Sequence, residues 1–193
     1  MAQVLRAVVG LGNPGDKHAQ DRHNAGFWFA DALAERQGVA FKADKKLLGD
    51  IAKLTLNGQD LYLLKPSTFM NRSGQAVQAL MSYFKLKPAE ILVVHDELDL
   101  PPGTARLKLG GGHGGNNGLR DTITHIGADF RRLRIGIGHP GHKDRVLGHV
   151  LGKPNKDQEA AMLGAIESGL HTLDIIMQDG WDKATQFLHT QDK

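Results

Sequence analysis

A histidine, a carboxylate and several asparagines occupy turns and element ends in this sequence. His23 ends a polar stretch that precedes a helical pattern, and Asp96 follows an apolar run typical of a buried strand. Asparagine stands at four further turns or element ends: Asn13, Asn24, Asn71 and Asn117. Histidine is the usual general base near neutral pH, and a carboxylate partner fixes its tautomer and raises its basicity. Asparagine can donate to a developing oxyanion without adding charge, so the set suits general-base attack on a carbonyl.

Each of these residues also has a structural interpretation. Asn71 can cap the helix that follows it, Asn13 can adopt a left-handed turn, and His23 can cap the first helix. Asp96 can satisfy the amides of its own loop. Asn13 and Asp96 nevertheless follow the carboxyl ends of predicted strands, where open α/β sheets bind their ligands, and this shared placement favours a role in chemistry.

Serine, cysteine and metal chemistry have less support. The chain has no cysteine, which excludes thiolate nucleophiles, thiolate metal sites and disulfides. None of its four serines lies in a G-x-S-x-G nucleophile elbow. His139 and His142 flank a proline–glycine turn, which offers no helical face for a metal of the H-E-x-x-H kind. The run 95–99 (HDELD) contains further possible ligands, but we expect neither a metal nor another cofactor.

A glycine-rich run after the first predicted strand matches the dinucleotide-binding pattern G-x-G-x-x-G at residues 10–15. A nucleotide-dependent oxidoreductase is therefore an alternative function. In that fingerprint the third glycine lies within the helix, so that the pyrophosphate rests on the helix N-terminus. Here a polar segment, residues 16–24, intervenes before any helical pattern. The next strand region leads into a hairpin at Asn57-Gly58 rather than to a ribose-binding acid.

The elements that position these residues alternate between strands and helices. Predicted strands cover residues 5–9, 51–56, 61–64, 91–94, 104–109 and 133–137. Predicted helices cover residues 25–37, a stretch after Asn71, residues 119–126 and 157–178, and a short segment from Trp181. The long helix carries an apolar stripe expected to face inward: Leu163, Ile166, Leu170, Leu173 and Met177. The pattern predicts an α/β fold, a single domain over residues 1–193 with a mixed, mostly parallel twisted sheet packed between helices and a C-terminal helical segment.

Charge is unevenly distributed along the chain. Residues 101–156 contain ten lysines and arginines against three aspartates, a net charge of +7, whereas the remainder has a net charge of −4 and the whole chain +3. A basic segment on a nearly neutral chain suits a polyanionic partner such as a nucleic acid. A solvated basic face without a partner is the alternative.

The apolar segments predict neither a membrane span nor a signal peptide. No stretch approaches the roughly 20 apolar residues of a transmembrane helix. The apolar run within residues 1–15 is short and lacks a small-residue cleavage site. We therefore expect a cytoplasmic protein without membrane contact.

Several motifs, taken in order, resemble the signatures of the bacterial peptidyl-tRNA hydrolase family. They are residues 10–15 (GLGNPG), 22–26 (RHNAG), 68–71 (TFMN), 95–99 (HDELD) and 110–118 (GGGHGGNNG). Residues 130–140 and 150–154 extend the match, which spans the chain but is looser in the C-terminal region. Ordered motifs in register are far more specific than any one of them alone.

The resemblance implies a monomeric cytoplasmic enzyme with a mixed sheet between helices and no metal. It implies that His23 is the general base and that Asp96 holds it in its basic, oriented form. Asn13 and Asn71 would bind the peptide and the scissile carbonyl, with Asn13 helping to distinguish blocked from free aminoacyl groups. Asn117 would order the attacking water or the substrate.

The resemblance also implies a tRNA-binding surface outside the catalytic residues. Lys108 and Arg134 match positions that hold the tRNA 5′-phosphate, and Phe69 would line the site. The family usually has a tyrosine where this chain has His18, so the substrate contact at that position differs in kind. A non-catalytic RNA-binding module remains an alternative, and such a module would not need His23.

Overall fold

Seven strands form one mixed sheet in the computed structural model, which describes residues 4–191. The strands are β1 (Ala7–Gly10), β2 (Lys42–Asp44), β3 (Gly49–Leu56), β4 (Gln59–Pro66), β5 (Ile91–Glu97), β6 (Ala105–Leu109) and β7 (Arg131–Gly136). Their order across the sheet is β2-β3-β4-β1-β5-β7-β6. The central strands β4, β1, β5 and β7 are parallel, and β2, β3 and β6 add antiparallel pairs at the two edges.

Helices cover both faces of this sheet. They are α1 (Ala25–Gln37), α2 (Ser73–Phe84), α3 (Asn117–Ile126), α4 (Val146–Val150), α5 (Lys156–Asp179) and α6 (Trp181–His189). Val8 of β1 belongs to the core under α1, α5 and α6, whereas Ala7 and Val9 belong to the core under α2 and α3. This division follows from the two-residue period of a strand. The predicted fold class, a mostly parallel mixed sheet between helices with a C-terminal helical segment, is confirmed. Residues 1–3 and 192–193 of the predicted domain lie outside the described part of the chain.

Local sequence signals set several boundaries. Asn57 and Gly58 have φ angles of 49° and 75°, as a two-residue type I′ turn between β3 and β4 requires. Helix α1 covers the predicted residues, and the residue that follows it, Gly38, has a φ of 66° and provides the left-handed C-terminal cap. Both features were predicted from residue type and position along the sequence.

Helix α5 differs from its prediction at one position of the apolar stripe. Leu163 is half exposed, and Met162 is fully buried in its place, so the inward-facing prediction for Leu163 was wrong. Among the described residues α5 is also the one helix with the length and hydropathy of a membrane span. Half of its most apolar stretch is buried within the protein, where the helix packs on α1 and β7. The core helix of a globular protein has the same properties.

Candidate active site

Close backbone packing, rather than a nucleotide, accounts for the first glycines of the G-x-G-x-x-G run. A Cβ on Gly10 would lie 2.2 Å from the carbonyl oxygen of Gly26, and one on Gly12 would lie 2.6 Å from the ring of Phe27. A Cβ on Gly26 would in turn lie 2.4 Å from the backbone nitrogen of Leu11. These glycines allow the start of α1 to pack directly on the end of β1. This contact places the turn before α1 at the carboxyl ends of the central strands.

His23 lies in that turn, a 3-10 segment from Arg22 to Asn24, and pairs with Asp96 at the end of β5. Its Nδ1 is 3.0 Å from Oδ1 and 2.9 Å from Oδ2 of the carboxylate. Both residues are buried. Because Nδ1 is engaged by the carboxylate, Nε2 is the nitrogen available to accept a proton. Arg22 holds the turn from the other side, since its Nη1 donates to the carbonyl of His149 at 3.0 Å.

The charge of Asp96 controls the basicity of this histidine. Burial alone lowers the pKa of His23, but the Asp96 charge, the hydrogen bond to it and the more distant Asp21 charge together raise that pKa above its ordinary value. His95, in contrast, is completely buried, and desolvation lowers its pKa. Its Nδ1 lies 2.9 Å from the Asp96 carbonyl oxygen, to which it can donate. Of these two histidines, His23 is therefore the stronger base.

A cavity of about 280 Å³ opens next to this pair and is called here the His23 cavity. Its polar lining includes His23, Asp96, Asn116 and Asn117, and its apolar wall includes the following residues: Leu98, Val146, Leu147 and Val150. Asn117 is the first residue of α3. Three of these four apolar residues belong to α4. This helix was not predicted from the sequence.

Asn13 is held in a defined orientation beside this cavity. Asn24 bonds its backbone twice, because Asn24 Oδ1 accepts from Asn13 N at 2.8 Å and Asn24 Nδ2 donates to Asn13 O at 2.9 Å. The side-chain Oδ1 of Asn13 accepts the backbone N–H of Met70 at 2.7 Å. The Nδ2 of Asn13 is therefore the end of the amide that can still donate a hydrogen bond. Asn24, one of the four asparagines singled out by position, positions Asn13 in this way.

The remaining predicted substrate contacts lie on the segment that Asn13 holds. Phe69 and Asn71 flank Met70 and are exposed. The Phe69 ring meets the His18 ring edge-on at 6.5 Å. His18 Nδ1 lies 2.8 Å from Oδ2 of Asp21, a partner that a tyrosine at this position could not engage in the same way. Asn13 lines a second cavity of about 220 Å³, whereas His18, Phe69 and Asn71 line neither that cavity nor the His23 cavity.

Lys108 and Arg134 lie on one face of the antiparallel pair β6 and β7. Lys108 is opposite Arg132, and Arg134 follows two residues later, so the two predicted residues are diagonal neighbours. Both line a further cavity of about 280 Å³, called here the basic cavity, together with Arg132, His113 and Glu97. The Nε of Arg134 donates to Oε1 of Glu97 at 2.9 Å. Glu97 also lines the His23 cavity, so the two cavities share a wall.

Arg132 ties the glycine-rich loop, residues 110–118, to the sheet. Its side chain is buried, and its guanidinium donates to the carbonyls of Gly112 and Gly111, the latter at 2.6 Å. Desolvation lowers the pKa of Arg132, with the Arg134 charge adding to the effect and Glu97 opposing it. The loop continues from these contacts to Asn116 and Asn117 at the His23 cavity. Within residues 4–191, no group of three or more His, Cys, Asp or Glu side chains is arranged to hold a metal.

Asn116 is a polar residue of the His23 cavity that was not predicted from the sequence. Its Nδ2 donates to Oδ1 of Asp96 at 3.2 Å and to the Asp96 carbonyl at 3.3 Å. Its Oδ1 accepts the N–H of Leu119 at 3.1 Å and so caps α3. An asparagine before a helix predicts the cap, but no sequence signal predicts a carboxylate partner 20 residues away.

Comparisons with known proteins agree over nearly the whole chain. The family model described as peptidyl-tRNA hydrolase matches residues 7–193. A peptidyl-tRNA hydrolase of Stenotrophomonas maltophilia (strain R551-3) is 55% identical over 187 residues, which is 96% of this chain and 97% of that protein. One of Xanthomonas euvesicatoria pv. vesicatoria (strain 85-10) is 54% identical over 98% of this chain and 99% of its own length. The crystal structure of peptidyl-tRNA hydrolase from Acinetobacter baumannii superimposes with a TM-score of 0.95 at 48% identity, covering 98% of this chain and 97% of that one.

Proposed function

The chain belongs to the peptidyl-tRNA hydrolase family, and we propose that the paired His23 and Asp96 perform its hydrolysis of the ester between a peptide and the 3′ ribose of tRNA. The same reaction applies to an N-blocked aminoacyl group. Hydrolysis of this ester recycles tRNA from peptidyl-tRNA released by ribosomes. The single observation that carries the assignment of residues is the buried His23–Asp96 pair at a cavity with asparagine donors.

The reaction proceeds by general-base attack of water. Nε2 of His23 takes a proton from the water as its oxygen attacks the ester carbonyl, and Asp96 stabilises the imidazolium that forms. The tetrahedral oxyanion then collapses, the bond to the ribose oxygen breaks, and that oxygen takes the proton from His23. A ribose alkoxide is a better leaving group than an amide nitrogen, so no covalent nucleophile is needed. Only water and side chains of this chain take part in these steps.

Asparagine side chains bind the substrate around the reacting carbonyl. Asn117, at the start of α3 in the His23 cavity, orders the attacking water or the substrate. Asn13 and Asn71 bind the peptide and the scissile carbonyl, since a neutral amide can donate to the oxyanion without adding charge. Phe69 and His18 provide a ring surface at the rim.

The basic cavity holds the 5′-phosphate of the tRNA. Lys108 offers a point charge and Arg134 a planar fork, and both suit a terminal phosphate. The Nε of Arg134 remains on Glu97, which leaves its two terminal nitrogens for the ligand. The 5′ and 3′ ends of tRNA meet in the acceptor stem, so a phosphate site that shares a wall with the His23 cavity is consistent with binding of one acceptor end.

We further propose that residues 1–193 act as one domain and as a cytoplasmic monomer. Five of the six helices of the described residues pack on the sheet or on another helix, and α4 packs on the turns Arg22–Asn24 and Lys143–Arg145. A net charge of +7 over residues 101–156 favours binding of a polyanion such as tRNA.

The decisive experiment compares an N-blocked aminoacyl-tRNA with its unblocked form as substrates of the purified chain. We expect hydrolysis of the blocked substrate and much slower hydrolysis of the free one. Retention of tRNA without hydrolysis of the blocked substrate would support an RNA-binding module instead. A nucleotide cofactor that copurifies with the chain, detected by absorbance or mass, would support the oxidoreductase.

A further inference from the structure

The side chain of Asn116 uses both ends of its amide. Its oxygen accepts the N–H of Leu119 and caps α3, and its nitrogen donates to Oδ1 of Asp96 at 3.2 Å. We propose that Asn116 is a positioning residue that orients the Asp96 carboxylate toward His23. This inference rests on the proposed function, because it assumes that the His23–Asp96 pair performs the chemistry.

The geometry of the carboxylate explains why it needs a second partner. His23 Nδ1 lies almost equally close to both oxygens, at 3.0 and 2.9 Å, so this bond alone leaves the rotation of the carboxylate poorly defined. Asn116 contacts only Oδ1 among the two oxygens, which breaks that symmetry. Asp96 is 3% exposed, and loss of the Asn116 donor would leave its buried charge short of one hydrogen bond, which is costly.

Asn116 also transmits the position of α3 to the catalytic pair. The helix begins at Asn117, and a backbone shift at the cap would move Asn117 and the Asp96 contact together. Serine and aspartate cap helices about as well as asparagine. Neither can replace the amide donor to Asp96, because the serine hydroxyl is too short to reach and a carboxylate has no N–H to donate. The two roles of Asn116 can therefore be separated by substitution.

The test compares Asn116→Ser, Asn116→Asp and Asn116→Ala in steady-state hydrolysis of N-blocked aminoacyl-tRNA over a range of pH. We expect Asn116→Ser, which keeps the helix cap, to lower the thermal midpoint less than Asn116→Ala does. Its kcat should fall by about tenfold or more, the range for loss of a hydrogen bond to a charged group. Asn116→Asp adds a negative charge near His23, so the acid limb of its pH–rate profile should move to higher pH. Asn116→Ala loses the cap as well, and its thermal midpoint should also fall.

Asn155→Ser is the matched control. Asn155 caps α5 with the same acceptor geometry, because its Oδ1 accepts from Gln158 N at 2.8 Å, and that exchange should leave kcat and the pH profile unchanged. If Asn116→Ser and Asn116→Asp both have wild-type kcat and pH profiles, Asn116 is only a helix cap and the inference is wrong. If His23→Ala retains wild-type turnover, the proposed function of the His23–Asp96 pair is itself wrong. This result is distinguishable from one in which only the Asn116 variants behave as wild type.

Discussion

His23 and Asp96 are 73 residues apart in the sequence, yet Nδ1 of the histidine contacts both oxygens of the carboxylate. The parallel pairing of β1 with β5 brings the two chain segments side by side. The close contact of Gly10 with Gly26 then places the turn that carries His23 over the end of β5. Close packing at these glycines therefore brings His23 and Asp96 together. Substitutions of His23 and of Asp96 test the proposed mechanism directly.

The first prediction concerns the base itself. His23→Ala should lower kcat by about 10²–10⁴-fold, the usual contribution of general-base catalysis, while leaving affinity for tRNA nearly unchanged. Single-turnover hydrolysis of N-blocked aminoacyl-tRNA and an equilibrium tRNA-binding assay measure the two quantities. His171→Ala, at an exposed histidine of α5, is the control and should behave as wild type. Near-normal turnover in a folded His23→Ala protein would rule out the mechanism.

The second prediction concerns the charge of Asp96. In the proposed mechanism the neutral form of His23 is the base, so the rate should fall as pH drops through the pKa of His23. The Asp96 charge raises that pKa. Asp96→Asn removes the charge but not the burial, so the acid limb of kcat/KM should move to lower pH while the maximal rate also declines. Superimposable limbs in the wild-type and Asp96→Asn profiles would show that Asp96 is not the partner.

The third prediction separates two roles of Asn13. Asn13→Asp keeps the oxygen that accepts from Met70 N, but it removes the amide donor and adds a charge that favours a free ammonium over a blocked amide. The kcat/KM for blocked aminoacyl-tRNA divided by that for free aminoacyl-tRNA should therefore fall, by about tenfold for one lost hydrogen bond. Asn155→Asp, which adds the same charge at the cap of α5, is the control. Proportional losses on both substrates would make Asn13 a purely structural turn residue.

Local signals were sufficient for much of the fold. The Asn57–Gly58 hairpin and the Gly38 cap depend on backbone conformations that few residues adopt, so the sequence predicts them directly. The edge strand β2 was missed because its three residues are polar or small and at least partly exposed, without an alternating pattern. Helix α4 was missed because five residues that include Gly148 show no helical period.

The residue types of the candidate site were predictable from local signals, whereas the pairing of His23 with Asp96 was predicted only through the family resemblance. His23 and Asp96 were identified by type and by their position at element ends. Their pairing, and the contact of Asn116 with Asp96, depend on strand order and helix placement that no local signal specifies. The run of glycines was ambiguous for the same reason: the pattern of Gly10 and Gly12 fits both a nucleotide loop and close packing, and only the position of α1 distinguishes them.

The last prediction concerns how the tRNA is held. Lys108 and Arg134 line one cavity from adjacent strands, so replacing both with alanine should raise KM and leave kcat unchanged. Each phosphate contact contributes a salt-dependence slope of roughly 0.7–0.9, so the double variant should flatten that dependence by about one to two units. The control is Lys42→Ala/Lys53→Ala, which removes two positive charges from β2 and β3 at the opposite edge of the sheet. This control variant should change neither KM nor the salt-dependence slope.

A tRNA without its 5′-phosphate provides the second arm of this test. With this substrate the wild-type protein should have the raised KM that the Lys108→Ala/Arg134→Ala variant has with normal tRNA. The variant should have the same KM for both substrates. If the variant still distinguishes them, the phosphate is bound elsewhere in the basic segment. Arg132 would then be the next candidate because it lines the same cavity. Arg131 lines a smaller cavity together with Lys108, and Lys143 lines the adjoining His23 cavity, so these two residues would be tested after Arg132.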